Sequence, residues 1–454
     1  MKRPLPEEFK TTMCQALGDD EAARLFAALD TEPEVSIRLN ESKPTACFDG
    51  EVIGWSPMGR YLDVRPQFTL DPLLHGGAYY VQEASSQFVG YLLRDVDLRG
   101  CRVLDMCAAP GGKSTIYSSL VGRDGLVVAN DISRSRTLAL ADNVQRWGMG
   151  NVVVTCTEPR HIGTFEEWFD VVAVDAPCSG EGMFRKMEEA RSEWSASSVD
   201  VCASRQREIL TEAMRVLRPG GTLIYSTCTF NPTEDEGIVE WLMEEYGDEL
   251  VAADRVATPE EWGVTRSDIG EFQAFHFYPH KARGEGFFAA VVRKKDGAQR
   301  RVTPKSRRKV FTPLTAVEKN EVCRWVDDAS RMAFRRIGDM IYGYDKDAVA
   351  DIEALSDSLT VIYSGVSMGQ IFKGKLKPEH ALALFIGLNE EVVARVELDE
   401  ETAISYLRRS DISADGMADG INVVCYKGLP IGFVKRIGAR CNNMYPKDLR
   451  ILKQ

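Results

Sequence analysis

Residues 102–115 read Arg102-Val103-Leu104-Asp105-Met106-Cys107-Ala108-Ala109-Pro110-Gly111-Gly112-Lys113-Ser114-Thr115. A short apolar run ends on an acid, a turn of small residues follows, and a helical stretch begins. Glycines at a strand-to-helix turn let backbone approach a ligand closely at the carboxyl end of a strand. Downstream, 126–131, 151–154, 169–175 and 222–226 are further short apolar runs. Helical stretches separate them, such as 205–217, which stops at Arg218-Pro219-Gly220-Gly221. Buried β-branched runs alternating with helices predict a parallel, doubly wound α/β sheet. Two more candidate strands, 272–279 and 286–293, share a short glycine-containing turn and add an antiparallel hairpin. Asp131 ends the second strand, where an acid can hydrogen-bond ribose hydroxyls. A P-loop would need glycine where Cys107 stands, and Gly-x-Gly-x-x-Gly is absent, so the loop says only that a nucleoside-type cofactor is held.

Around this centre the 454 residues leave room for about three domains. The first 75 mix a helical pattern over 14–29 with the strand-like 35–39 and read as a small α+β unit. The sheet occupies 76–295, and 296–312 reads as a basic linker. Residues 313–454 form a C-terminal region that opens with helix over 316–333 and closes with strands near 420–426 and 431–435. The net charge of −12 argues against a polyanion partner until its distribution is considered. Residues 293–309 carry nine Lys/Arg (Arg293, Lys294, Lys295, Arg300, Arg301, Lys305, Arg307, Arg308, Lys309) against Asp296, and 421–454 carry seven against Asp448. These two segments suit phosphate contacts or a solvated surface equally well. No run reaches the 18 or so apolar residues that span a bilayer, and residues 1–7 lack the apolar core of a secretion signal. A cytoplasmic monomer without membrane attachment is expected. No Cys-x-x-Cys occurs, so no metal site is expected, and most of the eleven cysteines read as small buried hydrophobes.

Two cysteines stand apart. The fourth strand ends Val174-Asp175-Ala176-Pro177-Cys178-Ser179-Gly180 and the fifth Tyr225-Ser226-Thr227-Cys228-Thr229. In a parallel sheet both ends open on the edge that carries the cofactor loop. Pro, Ser, Thr and Gly are poor surroundings for a buried thiol. A zinc deaminase is excluded, because Glu181 stands where Pro-Cys-x-x-Cys needs its second cysteine. The chemistry that uses a thiol, an acid and a methyl donor together is methylation of a pyrimidine carbon. Thiolate addition at carbon 6 turns an inert ring into a nucleophilic enamine, splitting one hard step into easier ones.

Asp-x-Cys-Ala-Ala-Pro-Gly-Gly-Lys, Asp-Ala-Pro-Cys-Ser-Gly and Ser-Thr-Cys-Thr together resemble the Nop/Sun family of RNA cytosine-5 methyltransferases, over roughly 79–293. The resemblance implies a class I, Rossmann-like methyltransferase sheet binding S-adenosylmethionine. It implies that Cys228 is the nucleophile, that Cys178 assists breakdown of the adduct, and that Asp175 contacts the cytosine edge. Lys113 joins this catalytic set. Cys107, Ala108, Ala109, Pro110, Gly111, Gly112 and Lys113, with Asp131, Asp175 and Glu158, are expected to hold the cofactor. Glu158 departs from the family, which more often has Asp in Asp-Gly-Arg where this chain has Glu158-Pro159-Arg160. Arg38-Leu39-Asn40 and the segment Tyr80-Val81-Gln82-Glu83-Ala84-Ser85-Ser86 also resemble family segments near the active-site mouth. Gly428-Leu429-Pro430-Ile431-Gly432-Phe433-Val434-Lys435 resembles the PUA-like end of the bacterial ribosomal branch, which tilts the substrate toward 16S ribosomal RNA rather than transfer RNA. An amino-group methyltransferase fits Asp175-Ala176-Pro177-Cys178 poorly. A non-catalytic RNA-binding assembly factor has no need of both cysteines and Lys113.

Overall fold

The computed structural model describes residues 3–43, 48–304 and 309–452; the expectations placed on Lys305, Arg307, Arg308 and Lys453 lie outside them. At its centre is a ten-stranded sheet. Its strands are β1 (Arg102–Asp105), β2 (Leu126–Asn130), β3 (Val152–Thr155), β4 (Phe169–Asp175), β5 (Leu217–Thr227), β6 (Leu250–Ala252), β7 (Thr265–Ile269), β8 (Phe272–Phe277), β9 (Phe287–Lys294) and β10 (Val361–Ser364). The order is β7-β8-β9-β5-β4-β1-β2-β3-β10, with β6 on β9. Strands β1 to β5 run parallel, and β9, β8 and β7 complete one edge antiparallel.

The continuous apolar runs have a direct cause. Side chains alternate between faces along a strand, and here both faces are covered. Leu104, Val128, Val153, Val172 and Val174 enter one core, with α3 (Ala196–Val216) and α4 (Glu236–Tyr246) laid over it through Leu210, Ala213, Ile238 and Leu242. Val103, Val127, Val154 and Val171 enter the other, beneath α1 (Gly112–Val121) and α2 (Arg134–Trp147). Strand order reverses about β1, whose neighbours are β2 and β4. A ligand crevice forms at the carboxyl ends on such a switch point.

Several boundaries differ from the sequence expectation. The 14–29 pattern is two helices, Glu7–Leu17 and Asp19–Leu29, broken at Gly18. Tyr79–Val81 closes the four-stranded N-terminal sheet, beyond the expected boundary at 75. The helix expected over 316–333 ends at Cys323, and Met332–Ile337 is a strand, whose alternation of buried and half-buried residues pairs it with the following strand. Residues of the C-terminal region also enter the catalytic sheet, since β10 pairs antiparallel with β3. The rest of that region forms two four-stranded sheets.

The basic segment lies on the protein rather than free of it. Val302 donates to Glu166 O at 3.0 Å. Arg301 pairs with Asp351 at 2.5 Å and stacks over Trp168. Lys294 and Lys295 donate to the carbonyls of Met214 and Asp248. Much of this charge is already engaged by the protein itself. Among the described residues no helix is long and apolar enough to cross a membrane.

Candidate active site

The cofactor loop is fixed from three sides. Met106 N–H donates to Ala173 O at 2.9 Å and Ala108 N–H to Asn130 O at 2.7 Å, tying the loop to the ends of β4 and β2. The buried Asn130 amide donates to Met106 O and Thr157 O, while its Oδ1 accepts from Thr155 and Thr157. Pro110 O accepts from Asn143 Nδ2 at 2.8 Å and from Tyr80 Oη at 3.2 Å. Gly111 has φ +110° and sits so close to α2 that a Cβ would lie 2.9 Å from Leu140 Cδ1. Only glycine holds that backbone without strain.

Arg38 and Gln82 act behind this loop. The Arg38 guanidinium is buried and donates to Gln82 Oε1 at 2.8 Å, Thr115 Oγ1 at 2.5 Å and Gly112 O at 3.2 Å, with Trp147 stacked against it. Asn40 is likewise buried, donating to Gly77 O and Trp147 O. Glu83 accepts from the backbone of Ser85, Ser86 and Glu285. Of the two upstream segments singled out in the sequence, Arg38, Asn40 and Glu83 therefore support the walls, and Tyr80 and Gln82 also line the recesses beside the loop.

A cleft of about 920 Å³ opens at the strand ends, lined by Met106, Cys107, Asp131, Glu158, Asp175, Cys178 and Cys228 among others. Its size lies toward the upper end for ligand sites. Asp131 is 3% exposed, its carboxylate held by Ser133 N–H at 2.8 Å and Arg136 at 3.3 Å. Glu158 stands at the rim, 58% exposed and paired with Arg160 at 2.6 Å. A smaller recess of about 190 Å³ on the other side of the loop is lined by Ala108, Ala109, Pro110, Gly112, Lys113 and others, and it shares Cys107 and Asp175 with the main cleft. Burial pushes the Cys107 thiol up, so its side chain stays neutral.

Cys178 and Cys228 meet, with their sulfurs 3.2 Å apart. Lys113 Nζ lies 2.8 Å from Asp175 Oδ2, and Asp175 Oδ1 accepts from Ser226 Oγ at 2.8 Å. The strand ends are stitched together, since Gly182 N–H donates to Cys228 O at 2.9 Å. The hydrogen bond to Cys228, added to burial, pushes the Cys178 thiol well up. Burial alone would lower the Lys113 ammonium, but the charges of Asp175, Asp105 and Cys228 outweigh it and raise it. The site thus holds a sulfur that keeps its proton next to a second sulfur, with a fixed ammonium–carboxylate pair close by.

Sequence reasoning passed over a set of buried acids beneath the cysteines. Glu234 accepts from Ser179 N–H at 3.0 Å and from Gln206 Nε2 at 2.9 Å, and Gln206 also donates to Pro177 O. Burial raises the Glu234 carboxyl to about 7. Glu181 accepts from Phe230 N–H, Asn231 and Trp194, and Asp235 accepts from Thr227 Oγ1 at 2.6 Å. The available signal was the run Glu234-Asp235-Glu236 at the start of α4, which reads equally well as ordinary acids at a helix N-terminus.

Asp105 supplies a test of what the cleft holds. Its Oδ2 accepts from Ser114 Oγ at 2.7 Å, but its buried Oδ1 has no partner. Burial, with Asp175 and Asp131 nearby, raises this carboxyl to about 7. An orphaned buried oxygen in the recess that Asp105 lines with Cys107 and Asp175, the two residues it shares with the main cleft, suits a cationic ligand that carries N–H donors. S-adenosylmethionine, with its ammonium and sulfonium, has that character. Fold and site together define an S-adenosylmethionine-dependent methyltransferase.

Comparison with known proteins narrows the class. The family described as 16S rRNA methyltransferase RsmB/F matches residues 96–293. The N-terminal domain of 16S rRNA methyltransferase RsmF matches 5–84, and the methyltransferase RsmF PUA domain matches 393–451. Ribosomal RNA small subunit methyltransferase F of Erwinia tasmaniensis is 33% identical over 391 residues, covering 82% of this chain and 78% of the relative. A crystal structure of a methyltransferase homolog from Pyrococcus horikoshii is 30% identical, with a TM-score of 0.53 over 64% of this chain and 95% of its own. NSun6 from Pyrococcus horikoshii with SFG, at 21% identity, shares the fold, with a TM-score of 0.53 over 64% of this chain and 99% of its own. The chain belongs to the RsmB/F family of 16S rRNA methyltransferases.

Proposed function

We propose that this protein methylates carbon 5 of a cytosine in small-subunit ribosomal RNA, through a covalent bond between Cys228 and carbon 6 of the base. The observation that carries the reading is the pair of sulfurs 3.2 Å apart beside the Lys113–Asp175 ion pair, at the ends of two adjacent parallel strands. The cofactor, held by the 107–113 backbone, Asp131, Asp175 and the rim acid Glu158, supplies an electrophilic methyl group.

The protein's own residues make carbon 5 able to accept that methyl. The Cys228 thiolate forms a bond to carbon 6, and the π electrons of the 5,6 double bond move onto the ring. Asp175, acting from its place beside Lys113, passes a proton to nitrogen 3 as Cys228 adds, so that negative charge does not accumulate on the ring. The Lys113 ammonium, 2.8 Å from Asp175, holds that carboxyl group in one orientation. After methylation the carbon-5 proton leaves to a base, the double bond re-forms, the bond from carbon 6 to Cys228 breaks, and the nitrogen-3 proton returns to Asp175. Cys178 keeps its proton next to the departing sulfur, which suits a group that assists release rather than attack. The roles follow covalent catalysis with a nucleophile and a separate proton carrier. The N-terminal sheet and the C-terminal region flank this site and position the RNA.

Incubation with tritiated S-adenosylmethionine and small-subunit RNA, followed by digestion to nucleosides, tests the reading. The label is expected in 5-methylcytidine. Label in an N-methylated or ribose-methylated nucleoside would overturn it.

A further inference from the structure

Beside the catalytic recess lies a second groove, of about 270 Å³, lined by Leu74, Tyr80, Pro110, Asn143, Arg146 and Trp147 among others. It is continuous with the recess at Lys113 and Asp175, because Tyr80, Val81 and Pro110 line both. At its far end Leu74 packs on an apolar cluster that contains Leu429, Ile431 and Tyr445 of the C-terminal region. The groove therefore leads from the reacting centre to the domain matched as PUA.

Its chemistry is that of a single-stranded nucleic-acid track. Tyr80 is half-buried, its ring edge close to Gly112 and its hydroxyl on Pro110 O, so the ring is held in one orientation on the groove wall. Arg146 is half-buried and donates to Asn143 Oδ1 at 2.8 Å, yet it forms no ion pair with any described carboxylate. Asp142, one helical turn back, interacts with Arg146 through its charge but does not reach it as an ion pair. Lys43 is buried against the same helix end, with Nζ 2.7 Å from both Arg146 O and Gly76 O. Burial, with Arg146 beside it, lowers the Lys43 ammonium to about 7. Other half-buried arginines of this protein, Arg102 and Arg218 for example, each sit on a carboxylate. A half-buried guanidinium not tied up in an ion pair, beside an oriented aromatic ring, is the pairing that binds a phosphate and stacks a base.

We propose that this groove receives the unpaired nucleotides flanking the target cytosine, with Arg146 on a phosphate and Tyr80 against a base, and leads the strand toward the C-terminal domain. The proposal rests on the RNA-cytosine reading above and deepens it, because it makes recognition depend on a single-stranded neighbour of the target rather than on the basic stretch at 293–309.

The test uses the full chain, tritiated S-adenosylmethionine and transcribed small-subunit RNA, with variants Arg146→Gln, Tyr80→Leu and Tyr80→Phe. Arg146→Gln is expected to raise KM for RNA several-fold or more, with kcat and cofactor affinity unchanged, and to flatten the dependence of log affinity on log salt by about one. Tyr80→Leu should raise KM by roughly five- to a hundredfold, the range for losing one stacked base, while Tyr80→Phe, which keeps the ring and loses only the hydroxyl bond to Pro110 O, should keep the wild-type KM for RNA whatever it does to cofactor affinity. Wild-type KM and salt slope in both Arg146→Gln and Tyr80→Leu would overturn the groove. If Tyr80→Leu instead loses cofactor affinity, Tyr80 serves the loop and the salt slope of Arg146→Gln decides alone. No label transfer by the wild-type protein would count against the RNA-cytosine reading itself, a result separable from either outcome.

Discussion

At the scale of single residues, the site's chemistry depends on which groups hold protons. Asp105 illustrates how burial sets this. Its carboxyl prefers the protonated form in the folded protein, with a value raised from 3.8 to about 7. A raised acid contributes stability that is fully present below its unfolded value and is lost as pH rises through the folded one. Three units correspond to a ceiling of about 4 kcal/mol. We expect Asp105→Asn, which needs no ionisation, to gain on the wild type in melting temperature as pH goes from 5 to 8 without cofactor. A difference that stays constant over that range would mean Asp105 ionises freely. The two cysteines were legible in the sequence because strand ends rich in Pro, Ser, Thr and Gly are odd places for a core thiol. Glu234, Glu181 and Asp235 were not, because their partners come from residues brought close only by the fold, such as Ser179 and Gln206 for Glu234.

At the scale of elements, the strand-to-helix loop is the feature the sequence announced most clearly. Small residues at such a turn let the backbone approach a ligand closely. The loop's rigidity is less visible, since it comes from Asn130, Asn143 and Arg38 on three different elements. Gly111 is the point where local conformation and packing coincide. Gly111→Ala places a Cβ against Leu140 and forces an L residue to φ +110°, a strain of about 1–3 kcal/mol. We expect titration calorimetry to show cofactor affinity reduced by tenfold or more while far-ultraviolet circular dichroism stays that of the folded protein. Unchanged affinity would mean that the loop does not hold the cofactor by its backbone. The helix expected over 316–333 failed for the opposite reason. Its first half carries a capping box, Thr315 with Glu318, but its second half has only weak local preference and is drawn into a sheet.

At the scale of the molecule, the division into separate modules along the chain does not hold. Strand β10 comes from the C-terminal region and seals the β3 edge of the catalytic sheet, and Tyr344, Ile352 and Leu355 enter the same core as the parallel strands. A four-residue, half-exposed strand some two hundred residues from its partner leaves no periodic signature, so this was out of reach of pattern reading. An uncovered sheet edge is also a template for aggregation. We expect a chain ending after residue 304 to melt well below the full-length protein and to elute as aggregates in size-exclusion chromatography. A monodisperse truncated chain with the full-length melting temperature would show that β10 is dispensable. Within the basic segment read from charge alone as a linker, Val302 is fastened to Glu166 and Arg301 to Trp168 and Asp351.

The central claim, that Cys228 attacks and Cys178 releases, is tested most directly by trapping the covalent complex. Wild type, Cys228→Ala, Cys178→Ala and the double variant are incubated with S-adenosylmethionine and small-subunit RNA, then resolved by denaturing electrophoresis. Cys178→Ala is expected to accumulate a protein–RNA conjugate, because attack proceeds and release stalls. Cys228→Ala and the double variant should give neither conjugate nor methylated RNA. Conjugate in Cys228→Ala with none in Cys178→Ala would reverse the roles, and full turnover in both single variants would contradict the mechanism outright.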